Sequence, residues 1–294
     1  MKVLVVGANG QLGHDVSKEL KKRNIECLRS DIVGDVDYIL DITDKKVIDE
    51  IVNIHPDVII NCVAWTAVDA AEDEENKAKV YALNVAGVTN IVEAARILDC
   101  KLLHISTDYV FDGKGDSPRH ADDKNFGPEG YYGETKLLAE KEVEKLEKYF
   151  IVRIAWLFGK YGNNFVKTMI KVGKKHDEVR VVNDQIGTPT YTVDLARLLV
   201  DMIHSDKYGY YHATNEGGFI SWYDFTLEIY KQVGLNTKVI PVSTIEYGLS
   251  KAKRPYNSRL DKQKLSDMGF ERLPDWKDGL SRYLLEIKDE LESL

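Results

Sequence analysis

The sequence has little cysteine and no long apolar run. Its 294 residues include three cysteines, none in a CxxC spacing, and each lies in or beside an apolar stretch where a reduced thiol acts as a small hydrophobe. A disulfide-stabilised small domain is therefore excluded. No stretch approaches the roughly 20 apolar residues that span a bilayer, and the first strand-like segment begins at Lys2, too early for a signal peptide. We expect a cytoplasmic protein with no membrane partner.

Positive charge and clustered histidines are also scarce. Lys and Arg total 40 against 48 Asp and Glu, which gives a net charge of −8. Proteins that bind DNA or RNA through its phosphates need a basic face, so the composition argues against a nucleic-acid partner. The seven histidines form neither an HExxH motif nor a cluster at metal-ligand spacing, and no metal site is predicted.

Short apolar runs alternate with longer amphipathic segments in the first half of the chain. This alternation is typical of βαβ units, in which helices cover both faces of a parallel sheet. The segments are Val3–Val6, Gln11–Arg23, Val58–Cys62, Glu72–Leu98, Leu102–Ser106, Tyr132–Lys148 and Phe150–Ala155. We predict an α/β fold with a doubly wound parallel sheet of the Rossmann type.

The rhythm loosens after about Trp156, where glycine, proline and asparagine interrupt shorter elements. No repeat and no Gly-, Ser- or Pro-rich linker separates the two parts. We predict a dinucleotide-binding domain over residues 1–155 and a smaller, mainly substrate-binding region over 156–294, interleaved with late Rossmann elements and separated by a cleft.

A glycine-rich turn, GANGQLG, follows the first predicted strand at residues 7–13. In a strand–turn–helix setting, Gly7 permits a tight turn and Gly10 lets the backbone approach a pyrophosphate. Gly13 lets the helix pack on the strand, and the N–H groups at the helix N-terminus face the phosphates. The alternative is an ordinary Gly-rich turn, but its position at the first βα junction favours a dinucleotide site.

Ligands of such folds lie beyond the carboxyl ends of the parallel strands. Further cofactor candidates there are Arg29, Asp31, Asp41, Ile42, Ala64, Trp65 and Thr66. Asp41 could equally cap a helix. If the second strand is Ile25–Leu28, Arg29 is the first residue past its end and can bind the 2′-phosphate of NADPH. Asp31 could bind the ribose of NADH, turn toward solvent or pair with Arg29, and we expect both cofactors to be used.

Tyr132 and Lys136 are four residues apart on a predicted helix and share a face. They follow the strand that continues into Thr107 and Asp108, so all four side chains can converge over a nicotinamide. Reduction of a ketone needs a proton donor, and a cation such as Lys136 can lower the pKa of a phenol. The alternative is a half-exposed helix face. A second pair at this spacing, Tyr247 with Lys251, follows no such strand and is attributed to chance.

Seven segments together resemble the extended short-chain dehydrogenase/reductases. They are Gly7–Gly13, Asn61–Asp69, Ser106–Gly113, Tyr132–Lys136, Gly162–Lys167, Asn183–Thr190 and Arg254–Ser258. Within that family they resemble the branch that reduces the 4-keto group of dTDP-4-dehydro-L-rhamnose to dTDP-L-rhamnose with NADH or NADPH.

The resemblance implies a role for each matching position. Tyr132 would donate the proton, Lys136 would assist it and bind the ribose, and Thr107 and Asp108 would contact the substrate. The implied cofactor residues add Gln11 and Leu12 to those above. The implied sugar-nucleotide residues are Trp156, Asn164, Gln185 and Arg254. Some relatives form magnesium-bound dimers; the sequence shows no carboxylate cluster that supports a metal, and a homodimer is left open.

Two other functions stay open at this point. One is a sugar-nucleotide epimerase or dehydratase of the same family, although Tyr109 stands where such dehydratases place a basic Glu after the Thr-Asp pair. The other is a non-catalytic subunit similar to the regulatory subunit of methionine adenosyltransferase. Intact Thr107, Tyr132 and Lys136 favour an enzyme.

Overall fold

A seven-stranded parallel sheet forms the centre of the computed structural model, which describes residues 1–291. The strands in chain order are β1 (Lys2–Val6), β2 (Glu26–Asp31), β3 (Tyr38–Ile39), β4 (Val58–Asn61), β5 (Lys101–Thr107), β6 (Tyr149–Ile154), β7 (Leu157–Phe158), β8 (Glu178–Val182), β9 (Ile186–Gly187), β10 (Thr190–Tyr191), β11 (Gly209–His212), β12 (Ile220–Ser221) and β13 (Lys238–Val242). The large sheet has the order β11-β6-β5-β4-β1-β2-β3, and its strand pairs are parallel.

Helices cover both faces of this sheet. The helices in chain order are α1 (Gln11–Lys22), α2 (Val47–Ile54), α3 (Val68–Ala71), α4 (Glu74–Tyr81), α5 (Gly87–Leu98), α6 (Tyr131–Val143), α7 (Phe165–Lys175), α8 (Thr192–Ile203), α9 (Trp222–Val233), α10 (Thr244–Tyr247), α11 (Gln263–Asp267), α12 (Trp276–Glu286) and α13 (Lys288–Leu291). None of the helices within residues 1–291 is long and apolar enough to cross a membrane.

The alternation of side chains along β1 shows how the two cores arise. Val3 and Val5 point to the face covered by α1 and α8, whereas Leu4 and Val6 point to the face covered by α2, α5 and α6. A strand buried on both faces has no polar side to expose, which is why β1 and β4 read as continuous apolar runs. The predicted doubly wound fold is confirmed.

A second core lies beside the sheet. It joins α7, α9 and α12 to three two-stranded pairs, β7 with β10, β8 with β13 and β9 with β12. Elements after the predicted boundary at residue 155 also belong to the large sheet unit: α8 packs on the sheet, and β11 is one of its strands.

The amphipathic segment Glu72–Leu98 contains α4 and α5, which are joined by a π-helical turn, Ala82–Ala86. One element differs from the prediction. The second strand does not stop at Leu28, because Ser30 pairs with both β1 and β3 and extends β2 to Asp31. Arg29 and Asp31 therefore belong to the strand, two residues apart, instead of following it.

Candidate active site

The glycine-rich turn joins β1 to α1 without any side chain covering the helix N-terminus. Gly10 is the N-cap and no acidic residue occupies the first helical turn. A Cβ at Gly13 would lie 2.0 Å from the carbonyl oxygen of Gly7, so only glycine permits the close contact of strand and helix. Gly7 itself has a φ of 82°, in the left-handed region that glycine favours. Free N–H groups at a helix N-terminus fit a pyrophosphate.

A cleft of about 530 Å³ begins at this turn and extends along the ends of β4, β5 and β6. Many of the residues predicted to bind the cofactor or the substrate, or to take part in catalysis, line this cleft. The predicted residues that line it are Gly10, Gln11, Leu12, Ala64, Thr66, Thr107, Asp108, Tyr132, Lys136 and Trp156. The cleft thus contains an anion-binding turn at one end and hydroxyl, carboxyl and amino groups further along.

The Tyr132 hydroxyl and the Thr107 hydroxyl are neighbours in this cleft. Burial raises the pKa of Tyr132 above that of an exposed phenol, and the nearby Thr107 hydroxyl opposes the shift. The lowering of this pKa by Lys136 stays a prediction. The amino group of Lys136 bonds elsewhere, donating to the Ile105 carbonyl at 2.7 Å and lying 3.2 Å from Nε2 of His104.

Lys136 is itself a perturbed group. Its side chain is buried at the end of β5, and burial lowers its pKa to about 8, while the negative charge of Glu140 opposes the shift. A lysine with this pKa exchanges its proton near neutral pH. That property suits a group that assists a proton donor.

Asp108 lies next to Thr107 and accepts a hydrogen bond from its hydroxyl at 3.0 Å. Burial raises the pKa of Asp108 to about 6, and the hydroxyls of Ser258 and Thr107 oppose the shift. The carboxyl group therefore changes its charge within two pH units of neutrality. It can accept a hydrogen bond from a substrate hydroxyl when ionised.

Trp156 and Trp222 form one wall of the cleft. Their rings stack at a centroid distance of 3.7 Å and an angle of 17°. Trp156 adopts a φ of 52°, a backbone region that large side chains rarely occupy and that is often found at binding sites. Trp222 also lines a second cavity of about 360 Å³ next to the cleft, so the two cavities share this indole.

The second cavity contains Gln185 and Arg254, which the sequence predicted, and Arg180, which it did not. Arg254 donates to Asp69 at 2.6 Å and to the Tyr109 hydroxyl at 3.4 Å. The guanidinium is thus held at the cavity wall by an ion pair. Tyr247, from the Tyr–Lys pair attributed to chance, also lines this cavity.

Asn9 connects the two residues expected to read the ribose. Its side-chain oxygen accepts from Arg29 at 2.9 Å, and its backbone N–H donates to Asp31 at 3.0 Å. Asp31 also accepts from the N–H of Ile32. The Asp31 carboxylate is thus bound to backbone N–H groups, and its contact with the ribose stays a prediction.

Several predicted residues lie outside the cleft. Asp41 accepts from Thr43, and Ile42 is buried in the sheet core beneath Gly87. The Trp65 indole donates to the carbonyl of Ala67 and packs near Tyr132. Their cofactor contacts stay predictions.

Asn164, expected at the sugar nucleotide, caps α7 by accepting from the N–H of Lys167. Its side-chain nitrogen also donates to Gln11 at 3.1 Å. These bonds tie the second region to the glycine-rich turn. A sugar contact of Asn164 stays a prediction.

Sequence reasoning missed a set of buried polar residues behind the cleft. They are Asn61, His104, Glu140 and Arg153. Asn61 and His104 are polar residues at fully buried positions of strands, and that mismatch is the signal that could have revealed them. Trp222 left no signal, because its role depends on contact with the distant Trp156.

Within residues 1–291, no group of three or more His, Cys, Asp or Glu side chains is placed to hold a metal ion.

The family model described as the RmlD substrate binding domain matches residues 1–288. The chain belongs to this family. Its RmlD-family relatives include the dTDP-4-dehydrorhamnose reductase of Aggregatibacter actinomycetemcomitans, 39% identical over 95% of this chain and 97% of the relative. The spore coat polysaccharide biosynthesis protein SpsK of Bacillus subtilis is 37% identical over 97% of both chains.

Solved structures of dTDP-4-dehydrorhamnose reductases also match nearly the whole of this chain. The dTDP-4-dehydrorhamnose reductase from Clostridium acetobutylicum is 43% identical with a TM-score of 0.91, and covers 98% of this chain and 100% of that one. The Bacillus anthracis enzyme of that name, in complex with NADP, is 41% identical with a TM-score of 0.90, over 97% and 100% of the two chains.

Proposed function

We propose that this chain is an NAD(P)H-dependent reductase that converts the 4-keto group of dTDP-4-dehydro-L-rhamnose to the hydroxyl of dTDP-L-rhamnose. The observation that carries the proposal is the convergence of Thr107, Tyr132 and Lys136 in a cleft that begins at the glycine-rich turn. Membership of the RmlD family and the names of relatives aligned along nearly the whole chain support it.

A dinucleotide fits the turn because no side chain caps the N–H groups of the first residues of α1. Gly10, Gln11 and Leu12 would hold the phosphates, and Lys136 would bind the nicotinamide ribose. The bound reduced nicotinamide supplies a hydride. The relative solved with NADP supports the same cofactor class here.

The chain's own residues supply the proton. Negative charge develops on the carbonyl oxygen during ketone reduction, and the un-ionised Tyr132 phenol is the group that donates a proton to it. Because burial raises the pKa of Tyr132, the phenol keeps its proton until negative charge develops on the carbonyl oxygen. Thr107 can turn its hydroxyl from Asp108 and donate a hydrogen bond to the same oxygen, and Asp108 can then orient the sugar by accepting from a ring hydroxyl.

The nucleotide part of the substrate is assigned to the second cavity. Arg254 and Arg180 lie on its wall and suit diphosphate oxygens, since a guanidinium can donate two parallel hydrogen bonds. The stacked pair of Trp156 and Trp222 stands between the two cavities and would pack against the deoxysugar. A sugar nucleotide placed in this way spans both cavities.

The experiment is an assay of nicotinamide oxidation. Purified protein is mixed with NADPH or NADH and dTDP-4-dehydro-L-rhamnose, and the fall in absorbance of the reduced cofactor is followed. We expect oxidation only with this substrate and one cofactor consumed per product. A protein that binds the ligands without turnover would be a regulatory subunit, and turnover without net cofactor consumption would indicate an epimerase.

The proposal places the enzyme in the cytoplasm. Cys27, Cys62 and Cys100 are all free thiols in the structure, as is usual where thiols are kept reduced. Light scattering measures whether the chain forms a homodimer.

A further inference from the structure

Three buried polar side chains form a continuous chain beneath the cleft: Asn61, His104 and Lys136. Asn61 on β4 and His104 on β5 are direct neighbours in the strand register. The amide nitrogen of Asn61 lies 3.1 Å from Nδ1 of His104, and Nε2 of His104 lies 3.2 Å from Nζ of Lys136. Their exposed fractions are 0%, 0% and 2%. The polar groups of these three side chains therefore need hydrogen-bond partners inside the protein.

The backbone fixes the direction of the first hydrogen bond. The side-chain oxygen of Asn61 accepts from the N–H of Val63 at 3.0 Å. If the Asn61 amide were flipped, its NH₂ group would face the N–H of Val63, and neither group could accept a hydrogen bond. The amide nitrogen of Asn61 must therefore point at His104. Nδ1 of His104 consequently accepts a hydrogen bond and carries no proton.

The imidazole is neutral, and its single proton is therefore on Nε2. Burial holds the pKa of His104 well below its usual value, and the positive charge of Lys136 lowers it further. The other charged group near this chain is Glu140, one turn after Lys136 on α6, which is paired with Arg153. A doubly protonated ring would also direct a second donor at the Asn61 amide.

The Nε2–H group of His104 faces the amino group of Lys136. An ammonium group has no lone pair and cannot accept this hydrogen bond. An uncharged amine accepts it and still donates to the Ile105 carbonyl, 2.7 Å away. We propose that His104 is a positioning residue that stabilises the uncharged amine of Lys136 by donating a hydrogen bond from Nε2, in an orientation set by Asn61.

This chain is not a proton relay. It ends at the backbone N–H of Val63, which does not release its proton. Its effect falls instead on the ionisation of Lys136. The functional part of the inference rests on the proposed function, in which Tyr132 donates the proton and protonated Lys136 assists it, so the pKa of Lys136 sets the upper pH limit of activity.

The first test needs no substrate or cofactor. In protein labelled with ¹⁵N at histidine, the ring nitrogen shifts show which nitrogen of His104 carries the proton, and His104→Asn identifies the signals. We expect a bare Nδ1 and a protonated Nε2 at a pH above about 8, where the Lys136 amine is uncharged. Asn61→Asp removes the donor at position 61, and we expect Nδ1 to become protonated. A protonated Nδ1 in the wild type, or no change in Asn61→Asp, overturns the inference.

The second test is the pH profile of the reductase. His104→Asn can still contact Asn61 but is too short to reach Lys136. Loss of one hydrogen bond to the uncharged amine should move the alkaline limb of kcat upward by about half to one pH unit. His212→Asn is the matched control, because His212 is also buried and contacts Arg153 rather than Lys136. We expect it to leave the limb in place.

The outcomes separate the two proposals. An active His104→Asn variant with an unshifted alkaline limb would refute the role of His104 and leave the reductase function standing. A wild type that does not reduce dTDP-4-dehydro-L-rhamnose would refute the proposed function, while the ¹⁵N shifts would still decide the direction of the hydrogen bonds. If His104→Asn does not fold, the signals that move in Asn61→Asp identify His104 and still decide the direction.

Discussion

Arg153 on β6 and Glu140 on α6 form an ion pair through two hydrogen bonds of 2.8 Å, with 1% and 0% of their side chains exposed. Glu140 also accepts from the hydroxyl of Ser106 at 2.5 Å. Ser106 immediately precedes Thr107 on β5. The ion pair therefore holds two strands and the helix that carries Tyr132 and Lys136 in one arrangement behind the site.

Removal of one partner of this buried ion pair should lower the stability of the folded protein. Arg153→Met leaves the Glu140 carboxylate buried without a counter-charge, and we expect the free energy of unfolding to fall by about 3–5 kcal/mol. Denaturant unfolding measures it. Arg96→Met is the control, because its pair with Glu93 is mostly exposed and exposed ion pairs add little to stability. Equal losses in both variants would contradict a role for burial.

Tyr132→Phe tests the proton donor. Loss of a general acid lowers rates by about 10²–10⁴, so we expect kcat to fall by that factor while binding of NADH, followed by fluorescence, is unchanged. Tyr81→Phe is the control, because Tyr81 is exposed and lies on α4 outside the cleft. A near-normal kcat in Tyr132→Phe would show that another group donates the proton.

The sequence analysis attributed the pair of Tyr247 and Lys251 to chance, but Tyr247 lines the second cavity. We therefore expect Tyr247→Phe to raise the KM for the sugar nucleotide without changing kcat. Steady-state kinetics at saturating NADPH separates the two parameters. A fall in kcat with unchanged KM would move Tyr247 from substrate binding to the reaction itself.

Arg254→Ala should weaken binding of the substrate diphosphate. The variant loses a guanidinium at the wall of the second cavity and leaves Asp69 unpaired. We expect a higher KM for the sugar nucleotide and an unchanged KM for NADH. Asp69→Asn is the companion variant, since it removes the ion pair and retains Arg254. Equal rises for both ligands in Arg254→Ala would place this residue at a shared position instead.

We expect the cofactor preference to depend on Arg29, Asp31 and Asn9 together. Arg29 can pair with the 2′-phosphate of NADPH, while Asp31 stays bound to the N–H of Asn9. We expect both cofactors to be used with at most about tenfold discrimination, or roughly 1.4 kcal/mol. Arg29→Ala should weaken NADPH selectively. A preference for NADH above about a hundredfold that survives this substitution would show that Asp31 alone reads the ribose.

Asp15 on α1 should make stability depend on pH. Its side chain is buried, and burial raises its pKa to about 6, while the Thr192 hydroxyl opposes the shift. When folding raises the pKa of a carboxyl group in this way, the folded protein loses stability as the pH rises from about 4 to about 6. We expect Asp15→Asn to gain Tm relative to the wild type over that range and to keep the gain above it.

Asp194→Asn provides the comparison for Asp15. Asp194 is equally buried but is paired with Arg282 through two hydrogen bonds. Removal of its charge should therefore lower Tm. Thermal unfolding at several pH values measures both variants. A Tm difference for Asp15→Asn that does not change between pH 4 and pH 6 would contradict the buried ionisation.

The sequence by itself determined the parts of this protein that depend on local pattern. The glycine-rich turn needs three glycines at fixed spacing, and Tyr132 and Lys136 share a helix face because they are four residues apart. Runs such as Val58–Cys62 predicted buried strands, because continuous apolarity is what a strand covered on both faces requires. Each of these signals lies within a few neighbouring residues.

Only the tertiary structure decided the contacts between distant segments. The end of β2 depends on pairing with β1 and β3, so Arg29 and Asp31 were misplaced by a reading of the strand alone. Asn61 and His104 are 43 residues apart and meet only because β4 and β5 pair in one register. The pKa of a side chain such as Lys136 follows from burial, and burial is a property of the packed chain that residue order does not show.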